Sequence, residues 1–244
     1  MPNNFQMNLH ELTIHDTEKI AIENLFFSEE NRAILEQTIK EHKYIEELKK
    51  YNLPVDNKIL LHGHSGCGKT TTAKAIATAL KKEIIIVNLS TIINARIGET
   101  SKNVKALFDK AARENAVLFL DEFDQIAKSR ENDDKDVAEM KRLVNTIIQL
   151  IDYFPANCLL ICATNFFNSI DTALLRRFQI KLKFELPDEK QLDLYYDNIL
   201  NTFPIHLQYI TRKYLLSYAE AKDYVHTTMK GLIISELESQ QKQF

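Results

Sequence analysis

The sequence predicts an α/β fold: a five-stranded parallel sheet flanked by helices, followed by a small all-α subdomain. Three observations lead there. Five short apolar runs, at residues 58–62, 83–88, 116–121, 157–164 and 179–186, alternate with stretches of helical pattern. The first run feeds a glycine-rich turn and then a stretch of good helix formers. Beyond residue 186 no strand signal remains and only helical periodicity continues. Most of the runs are continuous rather than alternating, which suits strands covered on both faces. Strand–helix alternation then implies a parallel sheet with right-handed crossovers. The expected divisions are an N-terminal segment at 1–22, an α/β domain at 23–186 and a helical subdomain at 187–244.

The bulk numbers bound this picture. A chain of 244 residues with 45% hydrophobic and 27% charged content suits one large domain with a small appendage. A net charge of -3 gives no global pull toward nucleic acid or an anionic membrane. Cys67, Cys158 and Cys162 make an odd set without metal-type spacing, which fits a reducing, cytoplasmic setting. The first residues lack the charged-then-apolar pattern of a signal peptide. No apolar stretch approaches the roughly 18 residues needed to span a bilayer.

Taken in order, residues 1–22 are weakly patterned, although Leu9, Leu12 and Ile20 can pack. Ser28 followed by Glu29 and Glu30 reads as a helix start, an N-cap oxygen with acids in the first turn. Ile34, Leu35, Thr38, Ile39, His42, Ile45 and Leu48 continue one amphipathic helix, which Asn52, Leu53 and Pro54 end. After the five strand-like runs, Leu186, Pro187 and Asp188 mark a boundary. Helical patterns follow at 189–200, 207–216 and 219–237, with Ala221, Val225, Met229, Leu232, Ile233 and Leu237 on one face of the last and a frayed tail at 240–244.

The chemistry concentrates at two strand ends. Residues 63–70, Gly-His-Ser-Gly-Cys-Gly-Lys-Thr, match the phosphate-cradling pattern G-x-x-x-x-G-K-[ST] at every fixed position. Glycines let backbone N–H groups converge on phosphate oxygens, and the positive end of the next helix adds to the attraction. Gly63, His64, Ser65, Gly66, Cys67, Gly68, Lys69, Thr70 and Thr71 are therefore the candidate nucleotide-binding residues. Lys69 supplies a point charge to the β/γ-phosphates and Thr70 a hydroxyl ligand for Mg²⁺. The second strand end is Asp121-Glu122, after an apolar run. Adjacent carboxylates at a buried strand end need a partner, and nucleotide-bound Mg²⁺ is one. Asp121 then holds the metal, through water or directly, and Glu122 orients or deprotonates the attacking water.

These residues together resemble the AAA+ ATPases, and within them the AAA group that includes katanin, spastin and the proteasomal ATPases. The resemblance covers residues 26–237. Ala163-Thr164-Asn165 is similar to sensor 1, which implies that Asn165 helps place the attacking water. The stretch 171–178 resembles the segment that carries arginine fingers, which implies that Arg176 and Arg177 reach a γ-phosphate bound to the neighbouring subunit. Leu186-Pro187-Asp188 resembles the junction to a helical lid. Residues 26–28 match the loop that covers the adenine, with Phe27 at its centre. The resemblance thus implies a P-loop NTPase sheet with a lid, ATP and Mg²⁺ as ligands, and a homo-oligomer, a hexameric ring, with sites between subunits. An arginine finger contributes about 10³–10⁵ in rate, so hydrolysis would depend on assembly.

The chain departs from the family's pattern in places. Substrate-threading members carry an aromatic–hydrophobic–Gly tripeptide facing the pore, and here Arg96, Ile97 and Gly98 stand there. Arginine keeps length and planarity but adds charge, so Arg96 is either a pore contact or an ordinary exposed loop residue. The lid arginine of many AAA+ proteins has no counterpart at 216–220, with Lys222 only a loose candidate, as is common in the AAA group. The charged run 130–141 reads as a solvated loop or a second pore-facing loop. The favoured function is ATP hydrolysis in an oligomeric ring that remodels or unfolds a protein partner. Two alternatives stand beside it, an ATP-controlled switch that governs a partner effector without threading, and a nucleic-acid loader. The acidic net charge and the lack of a basic stripe with aromatics weigh against the loader.

Overall fold

The computed structural model describes residues 12–14, 16, 18–93, 97–128 and 134–241. Its elements run α1 (Glu29–Lys43), α2 (Ile45–Lys50), β1 (Lys58–Gly63), α3 (Lys69–Leu80), β2 (Ile84–Asn88), α4 (Leu89–Ile93), α5 (Ile97–Glu114), β3 (Val117–Asp121), α6 (Gln125–Lys128), α7 (Asp134–Asp152), β4 (Leu159–Thr164), α8 (Thr172–Leu175), β5 (Ile180–Phe184), α9 (Glu189–Leu200) and α10 (Tyr218–Gln241). The five strands form one all-parallel sheet in the order β2-β3-β4-β1-β5. All five expected strands are present, each within two residues of its expected start. Contacts divide the chain into two compact units, Met1–Gly63 with Lys69–Lys183, and His64–Gly68 with Phe184–Phe244.

In the first unit the register sets the site. His62 of β1 pairs with Thr164 of β4, and Leu120 of β3 pairs with Cys162 of β4. The carboxyl ends of β1, β4 and β3 therefore finish side by side, where ligands of open parallel sheets bind. All six residues of β4 are buried, as a continuous apolar run in mid-sheet requires. Leu118, Leu120, Leu160 and Cys162 join Leu107, Phe108 and Ile147 in one core.

The helix expected from Ser28 onward is broken. Ser28 does cap it, accepting the Asn31 N–H at 3.2 Å. Burial, however, stops at His42, and Tyr44 leaves the helical region before α2 resumes. Helix α2 buries no residue. Its Glu46–Lys49 and Glu47–Lys50 ion pairs are exposed and contribute little. Asn52 then ends it in the left-handed region, with Leu53 N–H returning to Leu48 O at 3.1 Å.

The described part of the N-terminal segment is tied to the same unit, and Leu12 packs as its apolar character allowed. Leu12 is buried in the core, and Ile14 N–H donates to Ile86 O at 2.9 Å on the outer edge of β2. Lys74 of α3 binds both Asp16 and Glu18.

The second unit is a helical pair. Leu192, Tyr196 and Leu200 of α9 pack on Ala221, Val225 and Met229 of α10. Asp188 and Gln191 form a capping box at the start of α9. The stretch 207–216, read as helical, is mostly not: one 3-10 turn at Ile205–Leu207 is followed by irregular chain. Its carbonyls find other donors. Tyr196 Oη donates to Lys213 O at 2.8 Å and Tyr224 Oη to Thr211 O at 2.7 Å. The Arg212 guanidinium meanwhile holds Asp193 and Asp197 on α9.

Candidate active site

Three glycines of the loop between β1 and α3 take φ values of 124° (Gly63), 72° (Gly66) and 96° (Gly68). At Gly66 a side chain is excluded twice. The left-handed backbone disfavours one, and a Cβ would stand 2.6 Å from Ser217 Oγ. The same residue's carbonyl accepts the Ala219 N–H at 3.1 Å, so the start of α10 holds this turn. His64 N–H is bonded to Phe184 O at 2.9 Å, and the buried Cys67 rests its Sγ 3.6 Å from Ser65 O. At Gly68 only the backbone demands glycine, because the space where a Cβ would stand is open.

Lys69 opens α3, is 8% exposed, and donates from Nζ to Gly63 O at 2.9 Å, spanning the base of the loop. Thr70 Oγ1 donates to Asp121 Oδ2 at 3.2 Å. The loop's hydroxyl and the β3 carboxylate are thereby brought together, although 51 residues separate them in the chain. Thr71 follows, half-buried in the first turn of α3.

Burial pushes the Asp121 carboxyl above its ordinary range, and the Glu122 charge adds to this. The Glu122 N–H, the Thr70 hydroxyl and the Lys69 charge pull the other way. A half-desolvated carboxylate beside a hydroxyl is a hard oxygen pair of the kind Mg²⁺ takes, with its remaining positions left to water and phosphate. Among the described residues no group of three or more His, Cys, Asp or Glu gathers as a dedicated metal cage. It is the Thr70 hydroxyl and the Asp121 carboxylate, 3.2 Å apart, that fit a nucleotide-borne Mg²⁺.

Glu122 stands in the left-handed region at φ 55°, a strained place for a residue with a side chain. Three bonds hold it there: its own N–H on Asp121 Oδ1 at 2.9 Å, the Gln125 N–H on its carbonyl at 2.9 Å, and the next N–H, Phe123, on Ala163 O at 2.8 Å. The fully buried Phe123 ring meets Phe178 edge-on at 5.6 Å between centroids. Asn165 is exposed immediately beyond β4.

Arg176 and Arg177 follow α8, which Asp171 caps by accepting the Ala173 N–H at 2.7 Å. Arg176 is exposed. Arg177 is engaged, with Nε and Nη2 on Asp152 at 3.2 and 3.3 Å and Nη1 on Ala173 O at 2.6 Å. Phe27 is half-buried beneath the Arg32 guanidinium, 5.5 Å from the ring centre.

Of the pore-loop candidates, Arg96 lies outside the described residues, while Ile97 and Gly98 fall in the first turn of α5. Of the charged run, residues 130–133 lie outside the description and Asp134, Lys135 and Asp136 open α7, so this part is helix rather than loop. Acids in a first turn suit the helix dipole. Asp124, which the sequence patterns did not single out, and Thr164, quoted there only as part of the sensor 1 match, are buried at the same strand ends and share a 2.8 Å hydrogen bond.

The fold and loop define a P-loop nucleoside triphosphatase module. Residues 59–186 match the model of the ATPase family associated with various cellular activities (AAA). The chain belongs to this family. It is 31% identical to an uncharacterized AAA family ATPase of Sinorhizobium fredii, over 86% of this chain and 64% of that protein. It is 28% identical to a putative 26S proteasome regulatory subunit homolog of Methanothermobacter thermautotrophicus, over 80% and 54%. It is also 36% identical to a 26S proteasome regulatory subunit 6B homolog of Encephalitozoon cuniculi, over 61% and 40%. The chain thus spans less than two thirds of these relatives' own length. Among the described residues no helix is long and apolar enough to cross a membrane.

Proposed function

We propose that this chain hydrolyses ATP with Mg²⁺ in an assembly of its own copies, and that hydrolysis remodels or unfolds a protein partner. The observation that carries the catalytic half is the Thr70–Asp121 contact at 3.2 Å beside a buried Lys69. The loop N–H groups and Lys69 bind the phosphates, and Thr70 and Asp121 hold the metal. Bound Mg²⁺ neutralises charge on the phosphate oxygens as it develops. Glu122 takes or orients the water proton and Asn165 places the water. Arg176 and Arg177 act toward the nucleotide of the next copy, with residues 187–244 serving as the lid subdomain. Phe27 lies against the base.

Relatives named as proteasome regulatory subunit homologs and as a proteasome-associated ATPase support the protein partner and the assembly. A cytoplasmic setting suits three buried cysteine thiols that form no disulfide. The test is ATP turnover and size-exclusion profile of wild type and Glu122→Gln. The variant is expected to keep ATP and the assembly while turnover falls about 10²–10⁴-fold, the usual worth of a general base. Wild-type turnover by Glu122→Gln overturns the mechanism.

A further inference from the structure

At the tip of β4 and just past that of β3, a buried polar link joins the two segments that the mechanism uses. Asp124 is 2% and Thr164 1% exposed. Thr164 Oγ1 donates to Asp124 Oδ1 at 2.8 Å and accepts the Phe166 N–H at 2.9 Å. A hydroxyl has one proton and two lone pairs. With the proton committed to the carboxyl, a lone pair is left for the Phe166 amide, and the turn 164–166 closes with Asn165 at its middle. The backbone adds a second rung, Phe123 N–H to Ala163 O at 2.8 Å. Glu122 thus stands two residues before one end of the polar link, and Asn165 one residue past the other.

We propose that Asp124 is a positioning residue for hydrolysis. Through the Thr164 hydroxyl it fixes the turn that presents Asn165, and so the place of Asn165 relative to Glu122. The proposal rests on the roles given to Asn165 and Glu122 above. A bond that only stabilises the fold changes how much protein is folded. A positioning bond changes turnover per folded molecule, because catalysis is lost steeply when a reacting group is displaced.

The test uses the full chain and reads kcat, affinity for a fluorescent ATP analogue, and thermal unfolding. Thr164→Val is expected to lower kcat about 10–100-fold, the scale of a misplacement near 1 Å, with analogue affinity unchanged. Thr164→Ser, which keeps the hydroxyl, is expected to recover most of that loss. Adding Thr164→Val to Asn165→Ala is expected to cost no more than Asn165→Ala alone. Wild-type kcat for Thr164→Val, or losses that multiply in the double variant, overturns the proposal. Wild-type kcat for Asn165→Ala instead overturns the role of Asn165 itself, which separates the two failures. Should Asp124→Ala not fold, Asp124→Asn keeps an acceptor and is expected to retain turnover. A loss as deep as that of Thr164→Val would overturn the link.

Discussion

Arg176 and Arg177 are adjacent in the chain and differ in what surrounds them. Arg177 spends its guanidinium on Asp152 and on the carbonyl of Ala173, while Arg176 is exposed at the end of α8. An arginine that completes a neighbour's site must be able to leave its own molecule, and Arg176 gives up less to do so. Arg176→Ala is therefore expected to cut turnover in the assembled protein about 10³-fold or more, the worth of an arginine finger. Its nucleotide affinity should stay as it was. The Asp152–Arg177 pair is itself part-exposed, at 43% and 30% of the side chains. Asp152→Asn is accordingly expected to shift stability by no more than about 1 kcal/mol. Turnover against protein concentration, read beside a denaturant titration, checks both. An Arg176→Ala protein that hydrolyses ATP like the wild type would remove this residue from the site.

Helix α10 shows how an element can follow its sequence pattern in half its length. It runs 24 residues, about 36 Å at the usual helical rise. Ala221, Val225 and Met229 are buried against α9, while Leu232, Ile233 and Leu237, on the expected apolar face, are 39%, 37% and 54% exposed. Met229→Ala is expected to cost about 2–5 kcal/mol as a buried large-to-small change. Leu237→Ala is expected to fall within about 0.5 kcal/mol of wild type. Equal losses for the two in urea unfolding would mean that the far half of the helix is packed in solution. Periodicity reports which residues can share a face, not whether another element covers it. The same limit explains what else was hidden. The strands were legible because continuous apolar runs need burial on both faces, and the starts of α1 and α9 because Ser28 and Asp188 carry their own caps. The irregular course of 208–217 depends on Tyr196 and Tyr224 hydroxyls reaching backbone carbonyls, and the Ile14–Ile86 bridge joins residues 72 apart. The Thr70–Asp121 contact was legible because both residues carry a recognisable pattern, whereas Asp124 carries none, and its pairing with Thr164 needs the register of β3 on β4.

At the scale of the whole molecule, two histidines couple folding to pH. His42 is 6% exposed on α1, with Nε2 at 3.0 Å from Asp56 O, an acceptor to which the ring donates. Burial holds its pKa below the ordinary 6.5, with Lys82 opposing the charged form and Glu41 and Asp56 partly offsetting it. His62, at the end of β1, is half-buried with its ring 4.2 Å from that of Phe167. Burial lowers its pKa as well, and Lys183 and Lys69 push the same way. In both cases the unfolded chain binds a proton at higher pH than the folded one, so stability rises with pH through the window below 6.5. Both contributions are fully present above 6.5 and are lost as the pH falls through the lowered folded values. The unfolding midpoint is therefore expected to fall between pH 7.5 and 5.5, and to fall less in His42→Gln, which keeps an amide donor for Asp56 O and cannot take a charge in that range. A His42→Gln curve parallel to the wild type over this interval would show that His42 takes up its proton alike in the folded and unfolded chains, and so that its burial does not couple folding to pH.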